Sequence, residues 1–272
     1  QEYWMSWVGD CLAAGVDGMD VRISSHSSWT DWRYSFGFNE PVIADLIGVK
    51  STVGAFINFG ADYHEPGHIF SGGRSAVDVG EVDGSVRPRT ERLHALLKNF
   101  EENAVLTDNI SGYLWSKMAY ISLLFATALV DATIDEVMAA VPHRPMLEAL
   151  AREVVSVAEA KGLSLESFDP FEPSGFVRDA AASATRAAFD KMVDYRHRSE
   201  KRHSGMWRDI AVRKRKTEVN QLLVPMAEEA DTQGVPVPLN KRMIELVYDI
   251  EEGRRPQSWD NLKVLEAEIG RE

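Results

Sequence analysis

The segment from 110 to 140 limits most strongly what this chain can fold into. Leu114, Met118, Ile121, Phe125 and Ala128 recur at spacings of 4, 3, 4 and 3, which lines them up on one face of a long helix. Its most apolar part, Met118 to Val130, is too short to span a bilayer, and no stretch of about 18 uncharged apolar residues occurs elsewhere, so no spanning helix is expected. Further helical patterns follow. They cover Met146–Lys161, ended by Gly162, then Phe176–Arg202, Thr217–Thr232, Leu239–Glu252 and Trp259–Ile269. Pro236 and Pro238 make an extended entry into the helix at Asn240, and Asp169–Gly175 reads as a proline-rich loop. Upstream, Thr90–Asn103 reads as one amphipathic helix.

The stretch 37–83 has a different texture. Asn39 and Pro41 suit the start of a short helix that Gly48 ends. Val53–Tyr63 is rich in β-branched and aromatic residues and reads as a strand, followed by a Glu65-Pro66-Gly67 turn and short strands at His68–Ser71 and Ala76–Val82. The organisation is thus α/β followed by all-α. Residues 1–35 hold four of the seven tryptophans but no sustained period, and read as a disordered or frame-shifted leader.

Thirty Lys and Arg against 42 Asp and Glu leave a formal charge of −12, which disfavours nucleic acid as a partner, including through the basic run from Arg208 to Lys216. With Cys11 as the one cysteine, no internal disulfide and no cysteine zinc site can form, and a cytoplasmic setting fits. The start lacks the basic end of a signal peptide.

Two charged residues suit chemistry. Lys117 borders the apolar stripe beside Leu114 and Ile121. Desolvation there would lower its pKa and suit a general acid, although the stem could equally lie on the core with its head in water. Glu218, after Arg213-Lys214-Arg215-Lys216, could accept a hydrogen bond from a substrate hydroxyl or merely favour the start of a helix. Ser204 could bind a carboxylate or cap the helix that follows. Arg208 and the basic run could hold an anion or form a charge network. His64 and His68 flank a Pro-Gly turn, which spoils them as paired metal ligands, and no metal is expected. No G-x-G-x-x-G and no G-x-S-x-G occurs, so no cofactor-binding residues can be named.

Several segments, in order, resemble the ketopantoate reductases (2-dehydropantoate 2-reductases). They are Gly37-Phe38-Asn39-Glu40 with Ile47-Gly48, Gly60–Gly67 with its Pro-Gly, Gly80-Glu81, Leu114-Trp115-Ser116-Lys117, Met206-Trp207-Arg208-Asp209 with Thr217-Glu218-Val219, and Val235-Pro236-Val237-Pro238-Leu239-Asn240. The resemblance covers about residues 36–272. It implies a remnant of a Rossmann-type NADPH-binding domain over 36–95. A helical, 6-phosphogluconate-dehydrogenase-like substrate and dimerisation domain would follow over 96–272, with the site in the cleft between them. It further implies an NADPH-dependent oxidoreductase of pantothenate biosynthesis that reduces a small 2-oxo acid and pairs as a homodimer. Lys117 falls on the family's general acid and Glu218 on its substrate-binding glutamate. Ser204 lies near the substrate-binding serine, at a slightly longer spacing.

The departures are specific. Ser35-Phe36-Gly37 stands where the family has Gln-Asn-Gly, and Ile121 and Phe125 stand where its catalytic helix carries asparagines, which suggests another 2-oxo acid or a related carbonyl substrate. Residues 1–35 do not match the glycine-rich first strand and helix. The alternative is an inactive fragment or a non-enzymatic helical module that pairs with itself.

Overall fold

The computed structural model describes residues 39–58, 61–66, 68–71, 76–199 and 201–269. The expectation for residues 1–35 lies outside them. The α/β part opens with α1 (Asn39–Ile47) and continues with β1 (Val53–Asn58), β2 (Ala61–Glu65), β3 (His68–Ser71), β4 (Ala76–Glu81), α2 (Pro88–Leu97) and β5 (Val105–Leu106). β1 and β4 pair antiparallel from Val53 opposite Glu81 to Asn58 opposite Ala76, and β5 adds in parallel on the other side of β4. β2 and β3 form a separate hairpin.

The helical part comprises α3 (Ile110–Ala128), α4 (Ile134–Ala139), α5 (Arg144–Ala160), α6 (Ala182–His197), α7 (Gly205–Ala211), α8 (Val219–Gln233), α9 (Pro238–Glu251) and α10 (Asp260–Ile269).

Four local readings need correction. The helix expected over Phe176–Arg202 spans only Ala182–His197. The strand expected over Val53–Tyr63 is two strands belonging to two different sheets. The helix expected over Thr90–Asn103 starts at Pro88, whose missing N–H costs nothing in a first turn, and ends at Leu97. The chain then turns to give β4 its parallel neighbour. The helix expected over Ile110–Ala140 breaks after Ala128. Thr133 and Glu136 form a capping box that starts α4 afresh, because each satisfies backbone or side-chain donors that a continuous helix would leave to its own carbonyls.

α3 is the axle of the core. Leu114, Met118, Ile121, Phe125 and Ala128 are all buried, as the spacing predicts, but so are Trp115, Ala119, Tyr120 and Leu123 on its other sides. α5, α7 and β1 all pack on it. Its ends are held by side chains from far away in sequence. The amide of Asn109 accepts from Gly112 N–H and donates to the Ser164 carbonyl at 2.8 Å. At the far end, Asn261 Nδ2 and Ser258 N donate to the Leu129 carbonyl, and Gln257 Nε2 donates to that of Ala128, satisfying groups a helix C-terminus otherwise leaves open.

A second tie is fully buried. Ser122 Oγ donates to Asn240 Oδ1 at 2.7 Å, while Asn240 Nδ2 donates to Glu153 Oε2 and to the Leu150 carbonyl. One amide thus fixes α3, α5 and α9 together.

The sheet docks at the N-terminal end of α3. Phe56 on β1 packs on Tyr113 and Phe168, with ring centroids 5.5 and 4.9 Å apart. Gly80 is required there: a Cβ on it would lie 2.3 Å from the Thr107 carbonyl oxygen. Gly54, opposite it on β1, also lies tightly against Ile110 of α3.

Candidate functional site

Lys117 is half-buried on α3. Helical side chains lean toward the helix N-terminus. Its ammonium therefore reaches back to the sheet, donating to the Ile57 carbonyl at 2.5 Å and lying 5.6 Å from the centre of the Phe56 ring. Enclosure between helix and strand pulls its pKa from 10.5 down to about 7; the carboxylates of Glu218 and Glu40 oppose that pull.

Glu218 acts on the same ammonium from much later in the sequence. The loop before it is bent at Lys214, whose φ is 52°. Asp209 holds the loop by accepting from Arg213 Nη1 at 2.8 Å and Arg215 Nε at 2.9 Å. Thr217 is anchored by its N–H and hydroxyl to Glu251, at 2.7 and 2.6 Å. α8 then begins, with Glu218 at its N-cap position but with a side chain not spent on capping. Burial pushes its carboxyl up to about 7, and Asp209 adds to the rise, while Arg215 and Lys117 oppose it. Each of the pair thus acts on the other's proton affinity: Lys117 and Glu218, 101 residues apart in the chain, share one electrostatic environment.

The other anticipated residues divide. Ser204 is buried at the N-cap of α7, where its Oγ accepts from Trp207 N–H at 3.1 Å; this is the capping alternative, and the hydroxyl proton is still available to donate. Arg213 and Arg215 form the charge network with Asp209, whereas Lys214 and Lys216 are exposed. Arg208 is half-buried on α7, which packs against α3. Ile121 and Phe125 are enclosed in the core and offer no polar atom to a substrate. His64 and His68 belong to the β2–β3 hairpin, and among the described residues no group of three metal-ligating side chains occurs.

Sequence reasoning missed Glu40, Phe56, Asp209, Thr217 and Glu251 as parts of this site. Glu40, Asp209 and Thr217 carried a signal, since each lies in a segment that resembles the family. Phe56 and Glu251 acquire a role through contacts 61 and 34 residues distant that no local pattern announces.

A groove of about 710 Å³ between α9 and α10 is lined by Pro238, Lys241, Arg242, Glu245, Lys263 and Val264. It includes none of these residues, and its cations are paired with Asp231, Glu245 and Asp260.

A dinucleotide's phosphates need a glycine-rich turn between a parallel strand and a helix. The described residues do not fit that need. Gly84 follows β4, but a Cβ there would meet the Asp108 carbonyl at 2.9 Å, so the turn packs against the chain and leaves no open cradle.

Comparison with known proteins agrees with the helical part of this picture. Residues 109–251, just over half of the chain, match the family model "Ketopantoate reductase PanE/ApbA C terminal". The chain belongs to the ketopantoate reductase family. Relatives within the family include the 2-dehydropantoate 2-reductase of Halobacterium salinarum, 25% identical over 210 residues, covering 77% of this chain and 63% of the relative. That of Streptococcus pyogenes serotype M1 is 22% identical over 211 residues, with the same two coverages. The chain thus spans 63% of the length of these relatives.

Solved structures share the fold. D-mandelate dehydrogenase with NADH aligns over 81% of this chain and 69% of its own at a TM-score of 0.63 and 16% identity. The 2-dehydropantoate 2-reductase of Geobacter metallireducens GS-15 aligns over 80% and 65% at 0.60 and 18% identity. Membership in the family agrees with the architecture seen here, a partial α/β layer followed by a helical domain. Among the described residues no helix is long and apolar enough to cross a membrane.

Proposed function

We propose that this chain carries the proton-donating and substrate-holding half of a ketopantoate-reductase-type oxidoreductase acting on a small 2-oxo acid, with NADPH as its cofactor. What supports the reading is the mutual field of Lys117 and Glu218, in which burial draws an ammonium and a carboxyl toward the same midpoint near 7. An acid works best when its pKa lies near the operating pH. In this reading Lys117 gives a proton to the carbonyl oxygen as negative charge gathers there, and its residual positive charge stabilises that oxygen beforehand. Glu218 accepts a hydrogen bond from a hydroxyl of the substrate and so orients it. Ser204 is the weaker third member, contributing its hydroxyl proton to the substrate carboxylate. The described residues supply no seat for the cofactor's phosphates, so the hydride-delivering half is assigned to none of them.

The test is turnover of NADPH with ketopantoate, and with phenyl-substituted 2-oxo acids, by the chain and by Lys117→Ala. Loss of turnover by at least about a hundredfold in a variant that remains folded is expected for removal of a general acid. Measurable turnover by the chain that Lys117→Ala leaves unchanged would refute the role. A second reading rests on the lack of a phosphate seat among the described residues and on a helical part that encloses its own core: a non-enzymatic module that pairs with itself. Absence of any change in NADPH fluorescence up to high micromolar protein, together with a dimeric mass in solution, would select it.

A further inference from the structure

The carboxylate of Glu251 has no place in the proposed chemistry, yet it makes two of the best-formed long-range hydrogen bonds near the site. It sits at the last residue of α9 and accepts from both the backbone N–H and the hydroxyl of Thr217, the residue immediately before Glu218. Thr217 is itself buried, and its Oγ1 also accepts from Val219 N–H at 3.3 Å, the residue immediately after Glu218. One turn along, Tyr248 OH donates to Asn220 Oδ1 at 2.5 Å, so α9 grips the entry of α8 at two points that bracket Glu218.

Glu218 makes no capping bond of its own that would fix its side chain. Its orientation is therefore inherited from the backbone on either side. A carboxylate that binds both a backbone N–H and a hydroxyl on one residue restrains that residue's backbone and its χ1 together, because the two donors diverge from a single Cα.

We propose that Glu251 is a positioning residue: through Thr217 it fixes the backbone that carries Glu218, the carboxylate that acts on Lys117. The proposal rests on the reading of Lys117 and Glu218 as one site. It assigns to the α8–α9 contact a task beyond packing, since loosening it releases the substrate-holding carboxylate without disturbing the general acid's own helix.

The experiment reads Lys117 directly and needs neither substrate nor cofactor. In protein carrying 13C-labelled lysine, the Cε resonance absent from Lys117→Arg is followed against pH. The carboxylates acting on this ammonium are Glu218 and Glu40. E218Q is expected to lower its midpoint by about one pH unit, the effect of removing an opposite charge from a partly buried ammonium. E251A is expected to lower it in the same direction by about half as much, by letting Glu218 swing away. E251Q, whose amide oxygen can accept both bonds, is expected to behave as the wild type, and E251A in an E218Q background to add nothing.

A folded E251A with an unmoved Lys117 overturns the proposal. So does E251Q acting like E251A, which would make the effect one of charge, or an E251A shift that persists in the E218Q background. An unmoved Lys117 in E218Q overturns the shared site itself, and is thereby distinguished from failure of Glu251 alone. Should E251A not fold, T217V replaces it: it keeps the backbone N–H bond to Glu251 and removes the hydroxyl, and a folded T217V with an unmoved Lys117 is equally fatal.

Discussion

Replacing Lys117 with methionine should stabilise the fold in a pH-dependent way. The ammonium is held at about 7 against an ordinary 10.5. At 1.36 kcal/mol per tenfold change in proton affinity, that depression amounts to about 5 kcal/mol of disfavoured charge. Lys117 is half-buried and keeps access to solvent, so roughly half of this is the realistic cost. A lysine whose folded pKa is depressed is penalised in full below the folded value, and the penalty fades as pH rises toward the unfolded value. Methionine, similar in length and uncharged, escapes it. The lost hydrogen bond to Ile57 opposes the gain at every pH and drops out of a comparison between two pH values. Between pH 6 and pH 9.5 the advantage of Lys117→Met over wild type should therefore shrink by about 1.5 kcal/mol. Urea unfolding followed by tryptophan fluorescence measures it. A difference that is the same at both pH values, or that grows toward pH 9.5, would show that the ammonium is not desolvated and would remove the physical basis for a general acid at this position.

Two further outcomes test the α/β part, on which the cleft depends. Asp78 is buried in β4, and burial raises its carboxyl to about 6 in spite of the Val105 N–H it accepts. Because the folded value lies above the unfolded one, the cost is absent below pH 4 and develops as pH rises to about 6, so Asp78→Asn should be more stable than wild type by up to about 3 kcal/mol at pH 7.5 and nearly equal to it at pH 3 in parallel urea titrations. Glu81 is almost fully buried and accepts from Arg89, Arg87 and Thr90, with Arg89 the largest of the causes that lower its pKa. Its contribution is present above the ordinary carboxylate range and lost as pH falls below it, and Glu81→Ala, which takes from Arg89 its carboxylate and leaves Arg87 with that of Asp83 alone, should cost about 2–3 kcal/mol by equilibrium unfolding at pH 7.

The amino-acid sequence determined much of this protein through periodicity alone. The 4-3-4-3 spacing from Leu114 to Ala128 specifies a helix with a buried face, and Gly162 and the prolines before Asn240 mark where helices stop and start. Such signals are local, because a helix is built from contacts three and four residues apart. Lys117 and Glu218 could be nominated from their settings, but each setting admitted a bland alternative. Tertiary structure decided what periodicity could not. It broke the long helix after Ala128, and a capping box of Thr133 and Glu136 starts the next one. It parted one expected strand into two sheets. It also gave Glu251 and Thr217 their bonds, and brought an amine and an acid under each other's field. Those outcomes depend on which surfaces meet across the fold, and the order of residues along a chain carries that only through the packing of the whole.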